Sequence, residues 1–428
     1  MNKAHIITIG NELLIGDTAN TNASWIGRKL TDSGFEVEKV FTIPDDYTII
    51  KNQIEQSIEQ AQFTVVTGGL GPTHDDITKT VVADIFDSEL ARNEEVLAHI
   101  EEIFNKRGFT LSDSNLQQAE VPVKCEVLFN KRGTAPGMWF EKSRNYLAVL
   151  PGVPHEMKYL MREVVPLKLQ KVFPESEMWA TEYFKTVGIP ESTLSDRIGN
   201  LEEYVNNGVG VAFLPNPAGV TIRISASGSN QTEAVEKLRE IKTVLNRKIG
   251  DYLYGKGKNL ELADVLGKLL AEKNLTIAAA ESCTGGRLTD KLTDIPGSSR
   301  YLKGGIIAYA NDIKTGMLNV EENLLAREGA VSKQVALQMA KGVAECCRAD
   351  IGVSTTGIAG PDGGTDNKPV GTVWMGFWIN GKHFALKSIF TSNRLVNKER
   401  TVMVVLETLR RQLLGIKSYP YELKPHYP

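Results

Sequence analysis

The chain has 428 residues, which is too long for one ordinary hydrophobic core, so two or three domains are expected. Its composition, 42% hydrophobic and 24% charged, is typical of a soluble globular protein. The formal net charge of -3 means that the chain has no overall positive potential that would attract nucleic acid. Neither a signal peptide nor a membrane-spanning segment is expected, because the N-terminus enters a strand-like segment directly and no apolar run is long enough. Four cysteines without metal-ligand spacing fit a reduced, cytoplasmic setting.

Apolar segments at the start of the chain predict a βαβαβ unit. Three buried strands at residues 4–10, 35–43 and 63–67 alternate with helices at about 22–33 and 47–60. This alternation predicts parallel strands with helices on both faces of the sheet.

A glycine-rich loop, Thr-Gly-Gly-Leu-Gly-Pro-Thr-His-Asp-Asp, begins at the end of the third strand. Ligands of such sheets bind beyond the carboxyl ends of the strands, and glycines let backbone N–H groups approach a phosphate. Asp75 and Asp76, together with Glu12 from the loop after the first strand, offer oxygen ligands to a divalent cation. A turn followed by an Asp helix cap would explain the two aspartates alone, but the combination favours a binding site.

This loop resembles the signature of the molybdopterin-binding fold. Gly-Thr-Ala-Pro-Gly at residues 133–137 and Pro-Gly-Val-Pro-His-Glu-Met at 151–157 extend the resemblance to the N-terminal domain of the CinA family. The resemblance implies metal-dependent ADP-ribose pyrophosphatase activity, with a divalent cation at Glu12, Asp75 and Asp76. It implies phosphate contacts from Gly68, Gly69, Gly71, Thr73, Gly133 and Gly137.

The middle of the chain predicts a small α+β module without a catalytic constellation. Its predicted elements are a strand at 182–187, a helix at 191–201, a hairpin with strands at 209–214 and 220–226, and a long amphipathic helix at 232–249. The family resemblance implies a KH-like domain here. A nucleic-acid site of that type needs a basic Gly-x-x-Gly loop, which is missing, so the module is interpreted as a spacer followed by a linker at 255–258.

The last third of the chain begins with a predicted helix at 260–273 and a buried strand at 275–279. Ser282, Cys283, Thr284, Gly285 and Gly286 then predict a tight turn onto a helix, where backbone N–H groups hold an anion or a developing oxyanion. Two hydroxyls and a thiol make the turn a candidate nucleophile site. A Ser/Thr cap followed by glycines is the alternative explanation of this stretch.

Further strands and helices are predicted after this turn. Residues 304–314 form a strand, a turn and the start of a helix, and a helix follows at 331–347 with Ser332 as its cap. A buried strand from 351 then enters a glycine loop, residues 362–373 continue into an edge-like strand, and a last helix spans 398–414.

A serine nucleophile needs a base, and no histidine is suitably placed. His383 lies in a strand-like pattern away from the glycine loops, and His426 lies in the tail. A partly buried lysine with a lowered pKa is the natural alternative, and Lys314 is the best candidate, with Tyr309 on the same strand-turn unit. A solvated lysine and a surface tyrosine are the competing explanations.

Five motifs occur in the order found in the C-terminal domain of the CinA family, which they resemble: Glu-Ser-Cys-Thr-Gly-Gly, Tyr-Ala-Asn-x-x-Lys, Gly-Ala-Val-Ser, Gly-Ile-Ala-Gly-Pro-Asp-Gly-Gly and Lys-Pro-Val-Gly-Thr-Val. The resemblance implies a nicotinamide mononucleotide amidohydrolase that needs no cofactor in this domain. Ser282 would be the nucleophile, Lys314 the base and Tyr309 its partner. Substrate contacts are implied for Glu281, Thr284, Gly285, Gly286, Gly357, Ala359, Gly360 and Arg394.

Three departures from the family pattern are visible. Ala310 stands where the family often has a serine, and Ser392-Asn393 precede Arg394 where the family has Gly-Asp. Lys398 also stands where an arginine is expected, and lysine lacks the bidentate fork that suits phosphate.

Together these observations predict an α/β protein with a three-layer molybdopterin-binding-like domain at 1–168, a KH-like α+β domain at 169–254 and an α/β CinA domain at 258–416. The predicted function is pyridine nucleotide recycling: nicotinamide mononucleotide is deamidated at the C-terminal site, and ADP-ribose is cleaved at the N-terminal one. A homodimer is expected from the resemblance. A non-catalytic nucleotide-binding adaptor linked to competence or recombination is one alternative, and pterin or other nucleotide binding at the N-terminal loop, by fold analogy, is another.

Overall fold

The computed structural model of the protein describes residues 2–73, 76–108, 110–174, 178–199, 208–216, 219–379 and 381–428. Asp75, one of the predicted metal ligands, lies outside the described residues. The chain divides into two compact units, Met1–Ala180 with Ala226–Lys237 and Thr181–Ser225 with Leu238–Pro428. None of the helices in the described ranges is long and apolar enough to cross a membrane.

The first unit is built on a six-stranded sheet and also contains a separate pair of strands. The strands of this unit are β1 (Asn2–Ile9), β2 (Phe35–Ile43), β3 (Phe63–Thr67), β4 (Leu90–Arg92), β5 (Glu120–Pro122), β6 (Glu126–Leu128), β7 (Gly137–Lys142) and β8 (Asn145–Leu150). The sheet order is β2-β1-β3-β8-β7-β6, and β4 pairs separately with β5. The first four strands of the sheet are parallel, as the βαβαβ pattern predicts, whereas β7 is antiparallel to both of its neighbours, β8 and β6.

Helices cover both faces of this sheet. They are α1 (Asn11–Leu14), α2 (Thr21–Asp32), α3 (Tyr47–Gln60), α4 (Thr78–Ile85), α5 (Glu94–Arg107), α6 (Asp113–Gln117), α7 (Pro154–Tyr159), a π-helical turn (Leu160–Val164) and α8 (Val165–Val172). Ile26 of α2 packs with Ile6 of β1 in one core, whereas Ile54 of α3 packs with Ile7 in the other. Because neighbouring strand residues point to opposite faces, β1 contributes side chains to the cores on both sides of the sheet. The predicted three layers, helices, sheet and helices, are therefore confirmed.

The middle of the chain forms an α+β module, as predicted. Its elements are β9 (Met178–Thr186), α9 (Glu191–Ile198), β10 (Val209–Asn216), β11 (Gly219–Gly228), α10 (Gln231–Ile249), a short 3-10 turn (Gly250–Tyr252) and β12 (Leu253–Lys256), with strand order β10-β11-β9-β12. The interpretation of residues 255–258 as a linker is wrong for Gly255 and Lys256. These two residues belong to β12, because they pair antiparallel with β9 and complete the edge of the sheet.

The C-terminal sheet has six strands: β13 (Ile277–Glu281), β14 (Leu302–Ile307), β15 (Ile351–Gly357), β16 (Thr372–Ile379), β17 (Lys382–Ile389) and β18 (Pro425–His426). Their order is β14-β13-β15-β16-β17-β18. The prediction that residues 362–373 continue into an edge-like strand is wrong about the position of this strand in the sheet. The strand, β16, starts at Thr372 and lies between β15 and β17, where Met375 and Phe377 are fully buried.

Helices cover both faces of this sheet as well. They are α11 (Leu262–Glu272), α12 (Arg287–Thr293), α13 (Asn311–Leu318), α14 (Glu322–Glu328), α15 (Lys333–Cys347) and α16 (Arg394–Leu414), with short 3-10 turns at Ser298–Arg300 and Pro420–Glu422. The Ser332 hydroxyl accepts a bond from Val335 N, so this predicted cap is confirmed. α16 begins four residues before its predicted start, because Asn393 accepts bonds from the N–H groups of the first turn.

Candidate functional site

Three parallel strands end together at one edge of the C-terminal sheet. β13 lies between β14 and β15, with Glu281 opposite Ile307 and Thr355. The loops that leave these strands carry the Ser282 turn, Tyr309 and residues 357–360. Since ligands of parallel sheets bind where the strands end, the structure brings the predicted C-terminal site residues to a location suited to binding.

The turn after β13 has the predicted strand-turn-helix form. The Ser282 N–H donates to the Thr355 carbonyl at 2.9 Å, which fixes the start of the turn to the neighbouring strand. Gly285 and Gly286 have φ values of 60° and 92°, in the left-handed region that favours glycine, and α12 begins at the next residue.

Glu281, a predicted substrate contact, is fully buried at the end of β13. One of its carboxylate oxygens accepts from Leu288 N at 3.0 Å, and the other accepts from Thr289 N and the Thr289 hydroxyl, both at 2.7 Å. A carboxylate bonded to the N–H groups of a first helical turn stabilises the helix start. These contacts favour a role in holding the turn, and substrate contact by Glu281 stays a prediction.

Local contacts distinguish the three candidate nucleophiles of the turn, all of which are buried. Burial raises the pKa of the Cys283 thiol to about 12, so little thiolate forms at neutral pH. The Thr284 hydroxyl lies 2.6 Å from the Thr355 hydroxyl. Ser282 is 9% exposed, compared with 6% for Cys283, and its Oγ makes no hydrogen bond with the residues that the structure describes. The unbonded hydroxyl therefore favours Ser282 as the nucleophile of the turn.

Lys314 is only 1% exposed, which contradicts the alternative of a solvated lysine. Its Nζ donates to the Ala308 carbonyl at 2.7 Å and to the Tyr309 carbonyl at 3.0 Å. Burial lowers the pKa of Lys314, and Asp312 is one of the groups that partly oppose this shift. In the described ranges no hydrogen bond joins Lys314 to Ser282. Cys283, the next residue, is close enough to interact electrostatically with Lys314 when its thiol is ionised. A buried amine with a lowered pKa is suited to accept a proton.

A hydrogen-bonded chain joins the Tyr309 loop to the second glycine loop. Arg394 Nη2 donates to the Tyr309 hydroxyl at 3.1 Å, and Arg394 Nη1 donates to the Gly360 carbonyl at 3.0 Å. The Tyr309 side chain is 61% exposed, as its surface alternative predicts. The Tyr309 hydroxyl nevertheless contacts Arg394, which in turn bonds to Gly360, and both of these are predicted site residues. The guanidinium thus spans two loops at the rim of the site.

Lys398 lies beside the Ser282 turn. A Cβ placed on Gly285 would be 3.5 Å from Lys398 Nζ, so the ammonium group faces that glycine. The departure from the family's arginine therefore falls within the site, where it changes a fork of donors into a point charge.

Asn397 was missed by the sequence analysis. It is buried, and its amide donates to the Ala359 carbonyl at 3.0 Å and the Thr391 carbonyl at 2.7 Å while accepting from Thr391 N. It thereby fastens the second glycine loop to the segment before α16. A polar residue in the first turn of a helix usually faces solvent, so the sequence pattern gave no signal for this contact.

Replacing Asn397 by Ala should lower the free energy of unfolding by about 2–3 kcal/mol, because several buried groups lose their partners at once. Urea unfolding of the full chain measures this effect. Asn323→Ala, at an exposed position of α14, is the matched control and should change stability by less than about 0.5 kcal/mol. Equal effects of the two substitutions would contradict the positioning role of Asn397.

In the first unit, a cavity of about 240 Å³ lies at the carboxyl ends of β1 and β3. Its wall includes Thr8, Glu12, Asn20, Thr67 and Gly152. The glycine-rich loop starts at this edge, where Gly68 N donates to the Leu150 carbonyl of β8 at 3.2 Å. Glu12 and the start of the loop are therefore both at the sheet edge that the sequence predicted for ligand binding.

Asp76 closes the glycine-rich loop. Its Oδ2 accepts from Thr73 N at 2.9 Å and also from the Thr73 hydroxyl, and a Cβ on Gly71 would lie 2.5 Å from the same oxygen. Across the described residues, no three His, Cys, Asp or Glu side chains are grouped so as to hold a metal ion. With Asp75 outside those residues, Glu12 and Asp76 are the described members of the predicted set. Their carboxylate oxygens are of the ligand class that hard divalent cations prefer.

The remaining predicted phosphate contacts have different surroundings. Gly69 accepts a backbone bond from Thr78 N at the start of α4, at 3.2 Å. Gly133 packs directly against the carboxyl group of Glu156, whose pKa is raised by burial and which accepts from Asn130 at 2.6 Å. Gly137 is a buried residue of β7 next to Leu160, so its packing favours a structural role. Phosphate binding by these glycines stays a prediction.

The chain combines a molybdopterin-binding type of sheet, a small α+β module and an α/β domain with a serine and a buried lysine at its sheet edge. Family models match each part: a probable molybdopterin binding domain at residues 5–170, the damage-inducible protein CinA KH domain at 181–255 and the CinA C-terminal domain at 259–413. The chain belongs to the CinA family. A CinA-like protein of Chloroherpeton thalassium is 41% identical over 96% of this chain and 99% of its own length.

A second full-length relative agrees with this assignment. A CinA-like protein of Gemmatimonas aurantiaca is 41% identical over 95% of each chain. Among solved structures, the protein CinA with unknown function from Thermoplasma acidophilum is 37% identical, covers 40% of this chain and 96% of its own, and has a TM-score of 0.35.

Proposed function

We propose that the C-terminal site hydrolyses the carboxamide of nicotinamide mononucleotide and releases ammonia and nicotinate mononucleotide. The observation that carries the proposal is a difference between the three side chains of the turn. The Ser282 hydroxyl makes no hydrogen bond with the described residues, while the Thr284 hydroxyl is paired with Thr355 and burial raises the pKa of the Cys283 thiol. Lys314 supports it, because burial lowers the pKa of an amine that lies near this turn. Membership of the CinA family supports the same choice of residues.

In the proposed reaction, the Ser282 hydroxyl gives its proton to Lys314 Nζ while Oγ forms a bond to the carboxamide carbon. Backbone N–H groups of the turn at residues 284–286 stabilise the tetrahedral oxyanion. The C–N bond then breaks, and Lys314 returns the proton to the departing nitrogen, which leaves as ammonia. Water hydrolyses the resulting serine ester with Lys314 again as base, which yields the carboxylate product and free Ser282.

Two cations at the rim fit an anionic substrate. Arg394 is held by Tyr309 and Gly360, and Lys398 faces Gly285. In the proposal, both approach the 5′-phosphate of the nucleotide. Ammonia release from nicotinamide mononucleotide by the full chain, compared with release from the phosphate-free riboside, tests this function. A folded protein that releases no ammonia from the mononucleotide would contradict the proposal.

The cavity at the ends of β1 and β3 favours a second function, the cleavage of ADP-ribose. Glycine N–H groups of the loop after β3 would bind the pyrophosphate, as such loops do in other parallel sheets. A divalent cation held by Glu12, Asp76 and Asp75 would polarise the phosphoryl oxygens. This proposal is supported by Glu12 lining the cavity and by the loop starting at the same edge.

Asp76→Asn should lower the release of AMP from ADP-ribose in the presence of Mg²⁺ or Mn²⁺ by about a hundredfold or more, and leave ammonia release unchanged. Asparagine keeps an oxygen that accepts from Thr73, so the change removes charge rather than the loop closure. Asp32→Asn, at an exposed position of α2, is the control and should retain both activities. Full pyrophosphatase activity of Asp76→Asn would contradict the role of Asp76 as a metal ligand.

Two other functions, a nucleotide-binding adaptor without catalysis and metal-independent pterin binding at the first glycine loop, are distinguished by binding assays. The adaptor predicts a salt-sensitive gel shift with DNA and no ammonia release. The pterin hypothesis predicts molybdopterin binding in the presence of a chelator. The first proposal is favoured here because a net charge of -3 opposes DNA binding and because the Ser282 hydroxyl makes no hydrogen bond with the described residues.

A further inference from the structure

A pocket of about 440 Å³ lies within the second unit, between residues 189–220 and residues 388–421. The start of α9 and the facing ends of β10 and β11 line one side. The end of β17, the helix α16 and the 3-10 turn at Pro420–Glu422 line the other. None of the lining residues belongs to the sites described above, so the pocket has a separate set of side chains.

Much of the pocket lining is apolar. Ile189 and Val220 are buried, and the rings of Phe390 and Tyr421 are half-buried. Tyr421 has a φ of 53°, in the left-handed region that residues other than glycine rarely adopt, and its N–H donates to the Gly188 carbonyl at 2.6 Å. Two rings beside buried aliphatic side chains suit a ligand with a large apolar group.

Two opposite charges also line this pocket, from Arg400 and Glu191. Both side chains are exposed, and neither makes a hydrogen bond or an ion pair with the described residues. Elsewhere on α16 a carboxylate does pair, as Glu399 does with Arg287 at 3.3 Å. Burial raises the pKa of Tyr421 and the charge of Arg400 opposes this rise, so the guanidinium lies near the ring. A ligand that carries both charges can pair with Arg400 and with Glu191 at once.

We propose that this pocket binds a free amino acid with a large apolar side chain. Arg400 binds the carboxylate, because a guanidinium presents a fork of donors that matches it. Glu191 binds the ammonium group, and the side chain packs against Phe390 and Tyr421. The pocket volume lies within the range of about 300–1,000 Å³ that small-molecule sites occupy. The two charges of the pocket sum to zero, which favours a zwitterion over a polyanion such as a nucleotide.

Arg400 lies on a different side of α16 from the Ser282 turn. Lys398, which faces Gly285 in that turn, is two residues earlier on the helix. At about 3.6 residues per turn, the side chains of Lys398 and Arg400 are about 160° apart around the helix axis. The proposal therefore does not depend on the activities proposed above, and a binding measurement tests it without either substrate.

The probe is phenylalanine, titrated against the full chain and followed by ligand-observed NMR. We expect a dissociation constant below about 1 mM. Three analogues each lack one recognised feature: 3-phenylpropionate has no ammonium group, 2-phenylethylamine has no carboxylate and glycine has no apolar side chain. Each analogue should bind at least about tenfold more weakly, because one part of the pocket then loses its partner.

Two variants separate the roles of the two charges. Arg400→Gln should weaken phenylalanine binding about tenfold and leave 2-phenylethylamine unaffected, since that probe has no carboxylate to lose. Glu191→Gln should also weaken phenylalanine binding about tenfold but leave 3-phenylpropionate unaffected, since that probe has no ammonium group. Glu240→Gln with Arg247→Gln is the control. It removes the same two charges from exposed residues of α10 that do not line the pocket, and should leave every affinity nearly unchanged.

Four results would overturn the proposal. They are the absence of saturable phenylalanine binding up to about 10 mM, glycine binding as tightly as phenylalanine, and an equal loss of affinity in the control variant. The fourth is an apolar peptide with both ends blocked that binds more tightly than phenylalanine and competes with it, which would make the pocket a peptide groove. Phenylalanine binding that both single variants weaken, each without affecting the probe that lacks its partner group, supports the proposed site.

Discussion

The full chain carrying Ser282→Ala is expected to release ammonia from nicotinamide mononucleotide at least a thousandfold more slowly than the unchanged chain. Loss of a nucleophile that acts with a base removes the covalent route and leaves only binding and oxyanion stabilisation. Folding should be unaffected, because the hydroxyl that is removed makes no hydrogen bond with the described residues and the backbone bond to Thr355 remains. Steady-state ammonia assays and urea unfolding of both proteins measure the two quantities.

The neighbouring Cys283→Ala chain is the control that makes this result specific. Cys283 lies in the same turn, but burial raises its pKa to about 12 and the thiol is enclosed by the core. We expect Cys283→Ala to retain activity within about tenfold and to lose stability, since a buried side chain is shortened. Loss of activity in Cys283→Ala with activity kept in Ser282→Ala would make the thiol the nucleophile and contradict the proposed mechanism.

The strands and helices with strong local signals were predictable from the sequence. β2 and α3 have the predicted bounds, because the spacing of their apolar residues is a local signal and Asp46 caps the start of α3. The errors concern pairing between distant segments. Residues 255–258 have the composition of a glycine-rich linker, but Gly255 and Lys256 pair with β9 and belong to a strand. β16 is an interior strand only because β17 pairs with it. Local patterns do not contain such partners.

The site was predictable as a set of motifs but not as an arrangement. The motifs indicate Ser282, Lys314 and Arg394, yet only the structure shows that the Thr284 hydroxyl is paired with Thr355 and that burial raises the pKa of the Cys283 thiol. The contact of Arg394 with the Tyr309 hydroxyl joins residues 85 positions apart, and no spacing rule predicts it. Glu281 shows what a motif leaves out, because its oxygens bond to the first turn of α12 and substrate contact by this carboxylate stays a prediction.

Lys314→Met should reduce kcat for ammonia release by about a thousandfold, within the range that a positioned general base contributes. Methionine has a similar length and keeps the apolar stem, so the loss reports the missing amine. Lys268→Met, at an exposed position of α11, is the matched control and should keep full activity. Activity of Lys314→Met within tenfold of the unchanged chain would remove Lys314 from the mechanism.

The pH dependence of the same variant gives a test that a merely structural lysine would not pass. Only the neutral amine accepts a proton, and burial lowers the pKa of Lys314 below its usual value of 10.5. The kcat/KM of the unchanged chain should therefore rise with pH through an apparent pKa below 10.5 and then level off. Lys314→Met should lack this rise, since the titrating group is gone.

The free energy of unfolding should also depend on the protonation of Lys314, and the lowered pKa fixes the direction of this dependence. Between the lowered pKa of folded Lys314 and the value of 10.5 in the unfolded chain, the unfolded state binds more protons, so the free energy of unfolding rises with pH across this window. Below the window the buried ammonium destabilises the fold by a constant amount, and above it the contribution vanishes. Urea unfolding at pH values from 7 to 10.5 should show this rise in the unchanged chain and a flatter profile in Lys314→Met. Parallel profiles of the two proteins would mean that the amine titrates as an ordinary lysine, which cannot serve as the base at neutral pH.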